Sequence, residues 1–241
     1  VVSCNAVISA CEKRSQWQMA MALLGSMSEL RATPDVISYN AAISACEKAG
    51  RWQLAIGLLS SMPELRVMPD VISFSASVSA CEKASQWQVA LALLRTMPEL
   101  RVIPNIVSCN AATSACVPGG RWQAALTLLS IMSQLVVKPD IISFSSVMSA
   151  SEKGGQWQLP MMLLRSTIEL RITADIISCS AAISACEKVG KWQFAFAVLS
   201  SLQHLDISPD CASCNAAISA CEKGLQWQLA LALFCAMPVL R

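Results

Sequence analysis

The sequence predicts an all-α protein, a right-handed α-solenoid of antiparallel helix–turn–helix repeats, and three observations carry that prediction. Trp17, Trp52, Trp87, Trp122, Trp157, Trp192 and Trp227 stand 35 residues apart with no insertion or deletion, and a fixed period of this length marks a repeat array. Within each unit, two stretches of helical periodicity are separated by turn residues. Hydrophobic residues make up 54% of the chain and charged ones only 14%, against roughly 25% charged in ordinary domains. That balance suits helices with neighbours on two sides.

The stretch 36–70 represents the unit. Pro34 stops the incoming segment and Asp35 offers a side-chain oxygen to cap a first helix beginning near Val36. At 100° per residue, Tyr39, Ala42, Ile43 and Cys46 fall on one flank, while Ile37, Asn40, Ser44, Glu47 and Lys48 fall on another. Ser38, Ala41 and Ala45 form a third flank of small side chains, open to close approach by a neighbour. Gly50 ends the helix, because glycine takes the left-handed conformation without steric cost. A second helix runs from about Arg51, with Trp52, Ala55, Ile56, Leu59 and Met62 as an apolar core stripe, and Pro63 and Pro69 bracket its exit. The product is a helical hairpin, and hairpins with two apolar flanks must stack.

Seven copies follow in order: residues 1–35, 36–70, 71–105, 106–140, 141–175, 176–210 and a truncated 211–241. They form one array without a linker, and the array is expected to be a segment of a longer protein. In the fourth copy Val117-Pro118 replaces the usual Glu-Lys pair, which should end its first helix early. Pro160 sits in the first turn of a second helix, where backbone N–H groups lack helical partners, so a local adjustment is expected. The mean hydropathy of +0.50 does not signal a membrane span. The longest uncharged apolar run, Leu229 to Leu240, is interrupted by Pro238 and falls short of the roughly 18 residues required.

Chemistry is sparse. The only histidine is His204, and the chain has no Gly-rich phosphate loop, no G-x-S-x-G and no H-E-x-x-H, so no catalytic residues and no cofactor are expected. Of the 12 cysteines, Cys11, Cys46, Cys81, Cys116, Cys186 and Cys221 occupy equivalent positions. On stacked helices these lie about 8–10 Å apart, beyond the ~7 Å limit for a disulfide, so buried free thiols are expected. Cys211 and Cys214 form one CxxC without a second pair, too little for a metal site. The net charge of +2 decides nothing about partners.

The 35-residue period resembles that of the pentatricopeptide repeat family across the whole chain. The resemblance extends to the first-helix pattern V-(V/I)-S-(Y/F/C)-(N/S)-A-x-I-S-A-C-E-K, the second-helix pattern W-Q-x-A-x-x-L-L-x-x-M and the closing P-D. Departures are the tryptophan, the Pro63/Pro98/Pro238 position and a cysteine at the usual tyrosine site in four copies. The resemblance implies single-stranded RNA as partner, read one repeat per nucleotide along the first helices, in a chloroplast or mitochondrion. It further implies organellar RNA processing, stability, editing or translation, and the short apolar runs imply no membrane partner.

By this resemblance the base-reading pairs are the fifth and thirty-fifth residues of each copy: Asn5/Asp35, Asn40/Asp70, Ser75/Asn105, Asn110/Asp140, Ser145/Asp175 and Ser180/Asp210, with Asn215 unpaired. The second-position residues Val2, Ile37, Ile72, Val107, Ile142 and Ile177 would pack on base faces. Lys13, Lys48, Lys83, Lys153, Lys188 and Lys223 would lie along the phosphates. Asn with Asp resembles the uridine combination, Ser with Asn the adenine one and Ser with Asp the guanine one, giving a target near 5′-UUAUGG-3′. The alternative is an α-solenoid scaffold that binds proteins or peptides.

Overall fold

The computed structural model describes residues 1–29, 32–170, 172–204 and 207–236. The side chain of His204, and Pro238 with the end of the apolar run, lie outside the described residues. Seven hairpins follow one another: α1 (Val2–Lys13) with α2 (Trp17–Glu29), α3 (Val36–Lys48) with α4 (Trp52–Glu64), α5 (Val71–Lys83) with α6 (Trp87–Glu99), and α7 (Ile106–Ala115) with α8 (Trp122–Gln134). Then come α9 (Ile141–Lys153) with α10 (Gln158–Glu169), α11 (Ile176–Lys188) with α12 (Trp192–His204), and α13 (Cys211–Lys223) with α14 (Trp227–Ala236). No strand occurs among the described residues.

The contacts gather into two compact units, Val1–Ala115 with Ile131–Val137, and Cys116–Ser130 with Lys138–Arg241. In the first, α1, α3, α5 and α7 pack side by side in sequence order, and α2, α4 and α6 each lean on their own first helix and the next one. The second unit repeats the scheme with α9, α11 and α13 in a row, flanked by α10 and α12. The core lies between the layers. Ala42, Ile43, Ala45 and Cys46 of α3 are fully buried, as are Ala55 and Met62 of α4. No helix of the described residues is long and apolar enough to cross a membrane.

Local sequence sets the element bounds. Asp35, Asp70, Asp140, Asp175 and Asp210 are the N-caps of α3, α5, α9, α11 and α13. After each first helix, repeat position 15 is left-handed: Gly50, Gly120, Gly155 and Gly190 adopt positive φ, and so do Ser15, Ser85 and Leu225. At Gly50 the preceding carbonyls are closed by Gly50 N–H to Glu47 O (3.1 Å) and Arg51 N–H to Cys46 O (2.8 Å), satisfying groups that a helix end leaves open. The same local closure recurs where the turn residue carries a Cβ, as Gln16 N–H to Cys11 O (2.9 Å) and Gln226 N–H to Cys221 O (2.8 Å) show. Helix α7 is three residues shorter than its counterparts, 10 against 13, since Pro118 supplies no N–H to continue it. Pro160 delays the start of α10 to Gln158 and leaves the helix unbroken.

The second helices end within the bracketing prolines, α4 running through Pro63 to Glu64 and α6 through Pro98 to Glu99. Both prolines are solvent-facing and in the last turn, where the lost N–H bond and the ring are cheapest to accommodate. One expectation is corrected, because the tryptophans rim the core instead of filling it: Trp17, Trp52, Trp87, Trp122, Trp157 and Trp192 are half-buried, and Trp227 is 67% exposed. The indoles of Trp122 and Trp192 cover the ends of α9 and α13 at Gly154 and Gly224. A Cβ placed on Gly154 would stand 2.6 Å from Trp122 Cδ1.

Candidate functional site

The inner first helices α3, α5, α7, α9 and α11 bury most of their side chains, yet the second residue of the copy stays in solvent, as it does in α1. Val2, Ile37, Ile72 and Val107 of the first unit are 84, 61, 60 and 56% exposed, and Ile142 and Ile177 of the second are 52 and 58% exposed. A branched apolar side chain held in water at the same point of six consecutive copies has no folding role there. Between Ile37 and Ile72 lies a niche of about 300 Å³, with Asn40 and Ser44 from α3 and Ser9 and Glu12 from α1 in its wall. Such a space holds about ten waters at ~30 Å³ each. It therefore presents two apolar side walls and a polar wall.

The residues beneath this row form a hydrogen-bonded set. Asn5 Nδ2 donates to both carboxylate oxygens of Asp35, at 3.0 and 3.2 Å. The Ser38 N–H donates to Asp35 Oδ1 at 2.9 Å as the helix cap, and the Ser38 hydroxyl donates to Asn5 Oδ1 at 2.5 Å. The second and third copies repeat the set: Asn40 Nδ2 reaches Asp70 Oδ1 at 3.1 Å, and Ser73 Oγ donates to Asn40 Oδ1 at 2.5 Å. Asn5, Asn40 and Asn110 are each only 9% exposed, and the bonds to Asn5 and Asn40 fix which edge of each amide carries the oxygen and which the nitrogen. Burial alone would raise the Asp35 carboxyl, but the bonds from the Ser38 N–H and hydroxyl and from Asn5 outweigh it and hold the group below its ordinary value.

The other pairs differ. Ser75 Oγ stands 3.4 Å from Asn105 Oδ1, and that oxygen also accepts the Ser108 N–H at 2.9 Å. Ser145 and Ser180 turn their hydroxyls back onto their own helices, to Ile142 O at 3.2 Å and Ile176 O at 2.6 Å. Asp175 and Asp210 accept the cap bonds from Ser178 and Ser213, each at 2.8 Å. Asp140 accepts from the Ser143 N–H at 2.9 Å, and Asn215 is exposed on α13. Asn5 and Asn40 are thus tied to the thirty-fifth residue of their copies, whereas Ser145 and Ser180 bond locally to their own helices.

Sequence reasoning missed the serine at position three, placed among small packing residues. Ser38, Ser73, Ser108, Ser143, Ser178 and Ser213 are all fully buried, and in α3, α5, α9 and α11 the serine completes a reciprocal cap with the preceding Asp. The signal was available as D-x-x-S, or N-x-x-S at Asn105, spanning each repeat boundary.

The lysine row is also more structured than its spacing suggests. Lys48 pairs with Glu12 at 2.8 Å, Lys83 with Glu47 at 2.9 Å, and Lys188 with Glu152 and Lys223 with Glu187, both at 3.0 Å. Each lysine reaches the glutamate of the preceding copy. Lys13 and Lys153 are exposed. Burial pushes the Glu82 carboxyl above its ordinary value, opposed by Lys83 and a Ser114 hydrogen bond and reinforced by the Glu47 charge. Burial likewise raises the Cys81, Cys109, Cys116, Cys179 and Cys186 thiols to about 11, so these thiols are unreactive packing groups. All 12 cysteines are unbridged, and no group of three metal-ligating side chains converges among the described residues.

Comparison with known proteins agrees with this geometry. The profile described as the PPR repeat family matches residues 1–46 and 34–83, and that of the pentatricopeptide repeat domain matches 92–153 and 162–223. No curated protein matches the sequence. Among solved structures, the pentatricopeptide repeat protein PPR10 from maize superposes with a TM-score of 0.72 at 19% identity, and PPR10 in complex with an 18-nt psaJ RNA element with 0.80 at 21%. Both alignments cover 98% of this chain and 34% of PPR10, so the chain spans about a third of that protein. The PPR domain of Arabidopsis thaliana protein-only RNase P 1, solved in complex with tRNA, gives 0.63 at 14% identity, covering 78% of this chain and 95% of that one. With its first-helix row, its capped repeat boundaries and family profiles matching most of its length, the chain belongs to the pentatricopeptide repeat family.

Proposed function

We propose that this chain binds single-stranded RNA sequence-selectively, one repeat per nucleotide, as a recognition module without chemistry of its own, acting on transcripts of a chloroplast or mitochondrion. The observation that carries the reading is the exposed aliphatic row with a polar wall beneath it. A base entering between Ile37 and Ile72 would bury apolar surface on both faces and direct its edge at Asn40, the combination of stacking and edge hydrogen bonding by which single-stranded RNA is read. The RNA- and tRNA-bound relatives support the same reading. Pairing the residues as the family does gives 5′-UUAUGG-3′ for the first six copies, with a pyrimidine expected at Asn215.

The third copy offers the sharpest test. Asn105→Asp keeps the cap, because Asp serves there in α3, α5, α9, α11 and α13, and changes only the group presented to the base. Selection from a randomised RNA pool should move the third-base preference from adenine to guanine, by an amount on the order of 1–3 kcal/mol for one recognised base. No shift at that base refutes the pairing. Enrichment of no RNA at all overturns the function and leaves the peptide-binding scaffold.

A further inference from the structure

The Glu–Lys pairs divide the thirteenth-position lysines into two kinds. Lys48, Lys83, Lys188 and Lys223 each face a carboxylate at 2.8–3.0 Å. Their charge is locally compensated, and Lys188 is further engaged by the Glu152 carbonyl at 3.1 Å. The glutamate that Lys153 would meet belongs at position 117, 36 residues earlier, as in every observed pair. Position 117 is Val117. Lys153 is exposed and makes no ion pair among the described residues, while its neighbour Glu152 is consumed by Lys188.

Resting on the RNA-binding reading, we propose that the thirteenth-position row does not grip the RNA backbone uniformly: Lys153, uncovered by the Val117-Pro118 interruption, is a phosphate anchor, while the four paired lysines contribute little. The physical reason is net charge. A phosphate approaching Lys83 meets a lysine already paired with Glu47, close to a neutral dipole, whereas one approaching Lys153 meets an uncompensated cation. Counterion release, and with it salt-dependent affinity, follows the phosphates that are neutralised.

The test measures binding of the whole chain to two labelled single-stranded RNAs of equal length, one containing UUAUGG and one of uridine alone, across a salt series. Lys153→Gln should weaken binding of both RNAs roughly fivefold at low salt and lower the slope of log K against log salt by about 0.7, the value for one single-strand phosphate contact. Val117→Glu, which restores a partner to Lys153, should reproduce both changes. Val117→Gln, of the same shape without charge, should leave both quantities at the parent values, which separates pairing from any effect on folding. The double variant Glu47→Gln/Lys83→Gln should change the slope by less than half as much as Lys153→Gln. A parent that binds RNA while Lys153→Gln stays within twofold at unchanged slope overturns the anchor, as does equal loss from the double variant. A parent that binds neither RNA overturns the functional reading itself.

Discussion

Replacing Ser73 by Ala removes one hydroxyl at the centre of a repeat boundary, and the structure allows its cost to be worked out. Ser73 is fully buried. Its Oγ donates to Asn40 Oδ1 at 2.5 Å, lies 2.9 Å from Asp70 Oδ1, and accepts the Asp70 N–H at 3.2 Å. Alanine keeps the Cβ and the cap bond from the residue-73 N–H to Asp70 (2.9 Å in the parent), so the ~1 kcal/mol of the N-cap itself survives. What is lost is the net worth of the hydroxyl bonds, about 1 kcal/mol, plus the penalty for leaving Asn40 Oδ1 unpaired at a largely buried site, about 1–2 kcal/mol. The sum is about 2–3 kcal/mol. Ser108 supplies an internal control, because its hydroxyl bonds backbone groups of Asn105, at 2.9 and 3.2 Å, and holds no buried amide of the preceding copy. Ser108→Ala should therefore cost about 1 kcal/mol less. Hydrogen exchange of the α3 and α5 amides is the suitable assay, since stability in a repeat array is local and nearest-neighbour in character. Equal loss of protection in the two variants, or a cost below about 0.5 kcal/mol for Ser73→Ala, refutes the argument that the serine orients the amide.

Two further outcomes follow from particular groups. Because burial raises the Glu82 carboxyl above its ordinary value, the folded chain binds its proton more tightly than the unfolded one. The penalty is complete at high pH and disappears as pH falls below the ordinary value of 4.5. Glu82→Gln should raise the melting temperature at about pH 7 and leave it unchanged near pH 4; an equal rise at both contradicts the assignment. Asp35 has the opposite sign, contributing stability above 3.8 that is lost as pH falls through its lower folded value. Val136 is 86% exposed with φ of +59°, a conformation unfavourable to a β-branched residue. Val136→Gly should stabilise the chain by roughly 0.5–1 kcal/mol, the relieved strain exceeding the added unfolded-state entropy, and a lower midpoint in urea would show that the side chain contributes packing there.

The sequence by itself determined the features that depend on near neighbours. A 35-residue period, Asp or Asn before each first helix from α3 onward and Pro ahead of it in most copies, glycine at several of the turns and Pro118 in the fourth copy were enough to place the helix starts, the hairpins and the short α7, because capping, periodicity and proline sterics act within one turn of the chain. The exposed second-position residues could be named by resemblance, and their exposure is consistent with that. Only the tertiary structure decided what the helix faces do. Asn40 and Lys48 fall on one polar flank when plotted on a wheel, yet stacking buries Asn40 against Asp70 and joins Lys48 to Glu12. Tryptophan reads as core from periodicity and sits at the rim, since the next hairpin meets it through the end of a helix. Such partners lie 30, 33 or 36 residues away. A single repeat contains the donors and acceptors, and which of them meet is set by the offset with which one hairpin rests on the next.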